Sequence, residues 1–238
     1  MIGLGTIVNA VAIVVGGSIG MLIKGGLKNK YQETLMSALG LATIFIGASG
    51  AMVGMLKVIN NGLETTGTML LIFSLVIGAL IGEFIDIEQR LEVLGEWLKS
   101  KVKTKGDDSF VEGFVTASLV VCVGAMAIVG ALQDGLTGDY STLFAKAVLD
   151  FTIVMVFAST LGIGVVFSAL PVFMYQGAIT LFASFLKPIM TSVLISYLSF
   201  IGSVLIFAVG INICFGKKIK VGNLLPAMII PFIYVLIF

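Results

Sequence analysis

Asp150 is the last carboxylate of the chain, and it stands inside an apolar stretch, Phe144–Leu170, with Lys146 one helical turn before it. An ionisable pair at such a depth in hydrocarbon needs a partner, a wet cavity or a task. Their spacing of four puts both side chains on one helix face. Beyond them, Gln176, Thr180 and Ser184 recur at i, i+4 and i+8, forming one polar stripe on a helix. If the chain folds back after Pro171, Lys146, Asp150, Ser168, Gln176 and Thr180 point to one interior, and Asn9 from the first apolar segment adds a neutral ligand. Thr43, Ser49, Ser74 and Asn212 are further neutral candidates, each more simply a helix–helix hydrogen bond. The chemistry open to this set is the binding and passage of a small solute or an ion. The competing reading is a structural ion pair, with Lys146 free to snorkel to the nearer interface.

Catalysis has less support. There is no histidine, so the commonest metal ligand and proton shuttle is missing. Cys122 and Cys214 both lie in apolar runs and suggest neither a zinc site nor a disulfide framework. No Gly-x-Ser-x-Gly, phosphate loop or acid cluster at ligand spacing is present, and Asp150 acting alone would lack a second catalytic group. Lys146 with Ser141 or Ser168 is the one conceivable pair for an intramembrane enzyme. No metal or cofactor is expected, and a net charge of +1 gives no sign of nucleic-acid binding.

The elements that must hold these residues follow from composition: 58% apolar, 11% charged, mean hydropathy +1.15. Those values describe an all-α polytopic transmembrane helix bundle, one transmembrane domain over residues 1–238, with the lipid bilayer as its first partner. Windows of about 20 residues give spans near 4–23, 35–56, 66–85, 113–132, 143–169, 190–214 and 221–238. The first is too long for a signal-peptide core and has no basic region before it. The segment 172–186, between Pro171 and Pro188, is either a short tilted eighth span or a re-entrant half-helix beside seven. Basic residues cluster after the first span (Lys24, Lys28, Lys30), after the third (Arg90, Lys99, Lys101, Lys103, Lys105) and at Lys217, Lys218 and Lys220. The positive-inside rule then puts the N-terminus outside and favours about eight spans.

Residues Phe84, Ile87, Leu91, Leu94 and Leu98 recur at threes and fours, an amphipathic helix at about 84–100 on the cytoplasmic surface. Asp86, Glu88, Arg90, Glu92 and Glu96 form its solvated face, with a flexible turn at Lys105–Ser109. Gly16-Gly17-Ser18-Ile19-Gly20 echoes Gly78-Ala79-Leu80-Ile81-Gly82, and paired glycines recur around Gly47, Gly124 and Gly202, which suits either internal repeats or close helix packing. Gly162, Gly164 and Pro171, with Gly177 beyond them, mark a broken helix, and Pro226 and Pro231 repeat the effect in the last span.

The run Gly138-Asp139, Lys146, Asp150, Gly162-Ile163-Gly164-Val165, Ser168-Ala169-Leu170-Pro171 and Gln176-Gly177 resembles the DUF554 family of uncharacterised prokaryotic membrane proteins. Gly5-Thr6-Ile7-Val8-Asn9-Ala10, Val123-Gly124-Ala125-Met126-Ala127-Ile128-Val129-Gly130 and Val221-Gly222-Asn223-Leu224-Leu225-Pro226-Ala227 are similar to it too, so the resemblance covers essentially the whole chain. Phe151 departs from the small residue, often glycine, that follows the family's aspartate. The resemblance implies the fold and a bacterial inner-membrane location, with no substrate. Together these readings lead to the expectation of a transporter or channel for a small solute or ion at Asp150. The alternatives are a non-transporting scaffold or sensor using 84–105 as its partner surface, and an intramembrane enzyme. A homo-oligomer is compatible with the chain and is not readable from it.

Overall fold

The computed structural model describes residues 2–24, 29–59, 62–102, 109–122 and 125–237. Helix α1 (Leu4–Lys24) leads to α2 (Asn29–Met55), an antiparallel hairpin of β1 (Leu56–Ile59) and β2 (Gly62–Thr65), α3 (Thr68–Ile85) and α4 (Ile87–Val102). Next come α5 (Phe110–Cys122), α6 (Ala125–Thr137), α7 (Ser141–Leu161), a 3-10 turn at Ile163–Ser168, α8 (Ala169–Leu181) and α9 (Ala183–Leu186). The chain closes with α10 (Ser192–Phe215), α11 (Val221–Leu224), a second 3-10 turn at Leu225–Ile229 and α12 (Ile230–Ile237). Among the described residues, 6 segments are long and apolar enough to cross a membrane, and the bent pair α5 and α6 brings the number to 7. A shorter apolar helix covers Val221–Val235. Among the described residues the fold is all-α apart from the short hairpin. Lys28 and residues 103–108, among them Lys103, Lys105, Asp107 and Asp108 and most of the expected turn, lie outside the described residues.

Helix α1 shows why these segments suit lipid. Its buried stripe is Gly5, Thr6, Asn9, Ile13, Gly16, Gly17 and Gly20, whereas Ile7, Val11, Val14, Val15, Ile19 and Leu22 face outward. Apart from Ile13, small and polar residues therefore pack inward and branched apolar ones face outward, the reverse of a water-soluble helix.

Contacts group the chain into two compact units, one formed by Met1–Ser37, Leu91–Cys122 and Met126–Ile189, the other by Ala38–Arg90, Val123–Ala125 and Met190–Phe238. In the first, α1 lies against α7, with Gly5 at Leu143, Gly16 at Phe151 and Gly20 at Met155. These pairs advance together, so α1 and α7 are parallel. The 3-10 turn and α8 run the other way along α1, with Thr6 meeting Thr180, Asn9 meeting Gln176 and Gly17 meeting Val166. In the second unit α2 and α10 are antiparallel, with Gly40 at Cys214, Gly47 at Phe207 and Gly54 at Phe200. There α3 sets Gly78 against Ala227 and Gly82 against Asn223, beside a core of Leu70, Phe200, Ile201 and Ala227. Of the echoed glycines, Gly16, Gly20, Gly47, Gly78, Gly82 and Gly210 sit at points of close helix approach, where even one methyl would meet a neighbouring backbone, and Gly124 lies outside the described residues.

Several boundaries differ from the sequence reading. The span expected over 143–169 ends at Leu161, because Gly162 takes φ 83, a conformation that L side chains rarely adopt. Residues Ile163–Leu181 are then a 19-residue stretch, antiparallel to α1, that is long and apolar enough to cross a membrane and takes in most of 172–186. Pro171 falls in the first turn of α8, where its missing N–H leaves no helical bond unmade. Gly177 lies within α8, away from any break. Ser184 leaves the polar stripe, since α8 ends at Leu181 and Ser184 is exposed on α9.

The amphipathic helix begins at Ile87, after Asp86 turns the chain with φ 54. Phe84 belongs to α3 and is 92% exposed, while Leu98 is buried with Phe110 and Phe114. Glu88 is the clear correction, because it is 7% exposed and not on a solvated face. Its Oε1 receives Lys217 at 2.8 Å, its Oε2 accepts from the Gly222 amide at 3.0 Å, and its own amide donates to Asn223 Oδ1 at 2.7 Å. The backbone turn after α10 supplies the donors that a lone helical carboxylate would otherwise seek in water.

Candidate functional site

Lys146, Asp150, Asn9 and Gln176 all lie in the first unit, whereas Asn212 lies in the second. Helix α7 carries Lys146 and Asp150 on one face, starting where exposed Asp139 accepts the Ser141 amide at 3.0 Å. That bond holds the Asp139 carboxyl below the usual carboxylate range. Lys146 Nζ donates to Asp150 Oδ1 at 2.8 Å and to Oδ2 at 2.7 Å. It also donates to the Val121 carbonyl at 2.9 Å. Val121 belongs to the last turn of α5, whose closing carbonyls have no donor within the helix, and the axis bends by 62° between α5 and α6. The ammonium therefore sits at the negative end of a broken helix.

From α1, Asn9 Nδ2 donates to Asp150 Oδ2 at 3.0 Å and to Gln176 Oε1 on α8 at 3.3 Å. Thr180, one turn further along α8, donates to the Ala131 carbonyl at 3.2 Å and lies 3.5 Å from the Thr6 hydroxyl. Asn9 and Gln176 are 0% exposed, Asp150 3% and Lys146 7%. Asn9 Oδ1, Gln176 Nε2, Ser168 Oγ and Ser118 Oγ are buried with no hydrogen-bond partner among the described residues. Phe151 turns its ring to Gly16 of α1, on the side of α7 away from Lys146.

The resemblance stated above rests on these same positions, and comparison with known proteins decides it. The family described as "Protein of unknown function (DUF554)" matches residues 4–236. The chain belongs to the DUF554 family. Among its relatives, an uncharacterized membrane protein YdfK of Bacillus subtilis is 35% identical over 227 residues, covering 95% of this chain and 93% of its own. An uncharacterized protein YqgA of Escherichia coli is 30% identical over 231 residues, covering 95% and 94%. No solved structure matches at a significant level. This DUF554 member is thus a multi-pass membrane protein with bacterial relatives.

Of the residues expected at the site, Lys146, Asp150, Asn9 and Gln176 form one bonded cluster, and Thr180 continues it along α8. Ser168 is buried at the start of α8 without a bond to that cluster. Thr43 and Ser49 instead donate to Leu39 and Ile46 of their own helix, and Asn212 holds the backbone of Lys218 and Ile219. Two participants escaped sequence reading in this DUF554 chain. The Val121 carbonyl is backbone and carries no residue signal. Asp134 is 0% exposed and accepts the amides of Gly3 and Gly5 at 3.0 Å each, fixing the start of α1. Its signal was an acid just past an apolar run.

Proposed function

We propose that this protein is a transporter or channel for a small solute or ion, with its binding site around Asp150 in the bacterial inner membrane and the N-terminus outside. The observation that carries the reading is the Val121 carbonyl, at the end of a broken helix, bonded to a buried Lys146–Asp150 pair. Irregular backbone at membrane depth is tolerated where it lines a protein interior, and broken helices whose ends face charged groups are the usual build of transport sites. Four elements, α1, α5, α7 and α8, converge there, so movement of any one alters the site. No covalent chemistry is assigned, since the bonds of Lys146 go to Asp150 and Val121 and not to Ser141 or Ser168.

The scaffold reading draws on α4, where Val93, Leu94 and Trp97 are exposed and Lys101 stands 5.8 Å from the Trp97 ring. A helix at the headgroup level accounts for the same pattern. The test is solute and ion flux through purified protein in vesicles. Wild type should exceed empty vesicles, and the folded fraction of Asp150→Asn should not. Full flux in Asp150→Asn would remove Asp150 from the role.

A further inference from the structure

We infer that the solute is uncharged and binds by donating and accepting hydrogen bonds at Asn9 and Gln176, with Lys146 standing permanently where a coupling cation would otherwise sit. The inference rests on the transport reading above and narrows it to a class.

The charges come first. Lys146 and Asp150 meet through two bonds of 2.7 and 2.8 Å, so the fixed charges at the centre cancel. An ammonium has three protons, and those of Lys146 go to Asp150 Oδ1, Asp150 Oδ2 and Val121 O. No cationic donor is left to receive an anion. A cation meets the opposite obstacle, because the oxygens suited to it already surround the ammonium, which cannot leave its tether on α7. Oxygen ligation by a carboxylate and a helix-end carbonyl is what a monovalent cation takes in a broken-helix transporter.

The groups with unused bonding capacity are neutral. Asn9 Nδ2 bonds to Gln176 Oε1 at 3.3 Å, which leaves Asn9 Oδ1 as an acceptor and Gln176 Nε2 as a donor on adjoining carboxamides. Both side chains are 0% exposed, so neither is turned to bulk water. A buried unpaired donor and acceptor are each costly. A small molecule carrying an N–H or O–H beside a carbonyl or hydroxyl oxygen satisfies both at once. Amides, ureas and small polyols have that chemistry.

The experiment uses full-length protein in vesicles of phosphatidylethanolamine and phosphatidylglycerol. Urea, acetamide and glycerol entry is followed by light scattering, and sodium, potassium and chloride movement by a potential-sensitive dye. Wild type should speed entry of at least one neutral probe without any requirement for sodium or potassium and without current. Gln176→Leu should slow it about tenfold or more, the effect of removing a partner from a buried polar contact. Gln176→Met, of similar length and volume, also removes the donor and covers the case in which Gln176→Leu misfolds. Lys146→Ala should make entry depend on sodium or potassium, which a purely structural lysine does not predict. Current-carrying ion flux, or sodium-dependent entry in wild type, would overturn the solute class and leave the transport reading standing. Vesicles that pass neither neutral nor charged probes faster than empty ones would overturn both.

Discussion

At the scale of single residues, the site is held by a pair whose members cannot be removed separately without consequence. Removing one partner of a buried ion pair costs about 3–5 kcal/mol because the other charge is left uncompensated. Lys146→Met should therefore destabilise the protein strongly, whereas joint neutralisation with Asp150→Asn should recover most of the loss. Thermal unfolding of the two singles and the double in detergent measures this. Additive losses would show that the two residues do not act as a pair. The pair was legible in the sequence because spacing of four on a helix guarantees proximity, and Gln176 with Thr180 was legible for the same reason. The bond from Asn9 was not fixed by spacing, since 141 residues separate it from Asp150. The Val121 carbonyl was invisible, because every residue has one and only the position of a helix end frees it.

Between elements, glycine decides how closely helices approach. A methyl on Gly20 would collide with the Met155 carbonyl, a backbone atom that cannot swing aside. Gly20→Val should cost roughly 1–3 kcal/mol or more and pull Asn9 off Asp150. Gly177 is the contrast, with nothing within 4 Å of an added Cβ. Gly177→Ala, inside α8, should gain about 0.5–1 kcal/mol from helix propensity. Melting temperatures of the two variants should move in opposite directions. The spans themselves were readable from apolar length, but their ends were not: the span expected to reach residue 169 ends at Leu161, and of Gly162, Gly164, Pro171 and Gly177, read together as the break, backbone geometry picks Gly162.

A second junction between elements joins the end of α3 to the turn before α11. Lys220 donates to Glu83 at 2.5 Å and Asn223 to the other Glu83 oxygen at 2.7 Å. The hydrogen bond to Glu83, with its charge, holds the exposed Lys220 ammonium above the ordinary lysine pKa. A raised lysine pKa gives stability that is complete below the unfolded value, about 10.4. It is lost as pH rises through the folded value. Wild type should therefore lose more melting temperature than Lys220→Met between about pH 9 and about pH 11. Equal alkaline losses would show that the bond contributes nothing measurable.

Across the whole molecule, helix directions constrain the path through the membrane. Parallel α1 and α7 require an odd number of crossings between them, which α2, α3 and the bent pair α5 and α6 supply together. The Lys220–Glu83 and Lys217–Glu88 bonds place the turn after α10 on the same side as the end of α3. An even number of crossings lies between those points only if Ile163–Leu181 spans. Cysteines replacing Arg90 and Lys218 should therefore react with an impermeant thiol reagent from one side, and cysteines replacing Lys57 and Lys187 from the other. Labelling of positions 187 and 218 from the same side would contradict the crossing of α10. Basic-residue counting suggested this path, and the labelling pattern tests it.

The seating of α1 between α7 and α8 also has a consequence for biogenesis. Helix α1 leaves the ribosome with Asn9 on its inward stripe, yet the Asp150 that receives it is made 141 residues later. At ~5–20 residues per second, α1 waits on the order of ten seconds in the bilayer with an uncapped carboxamide and a row of bare glycines. Nascent α1 is thus a client for whatever shelters polar helices during insertion, and chains that stop before α7 should be cleared by quality control instead of accumulating.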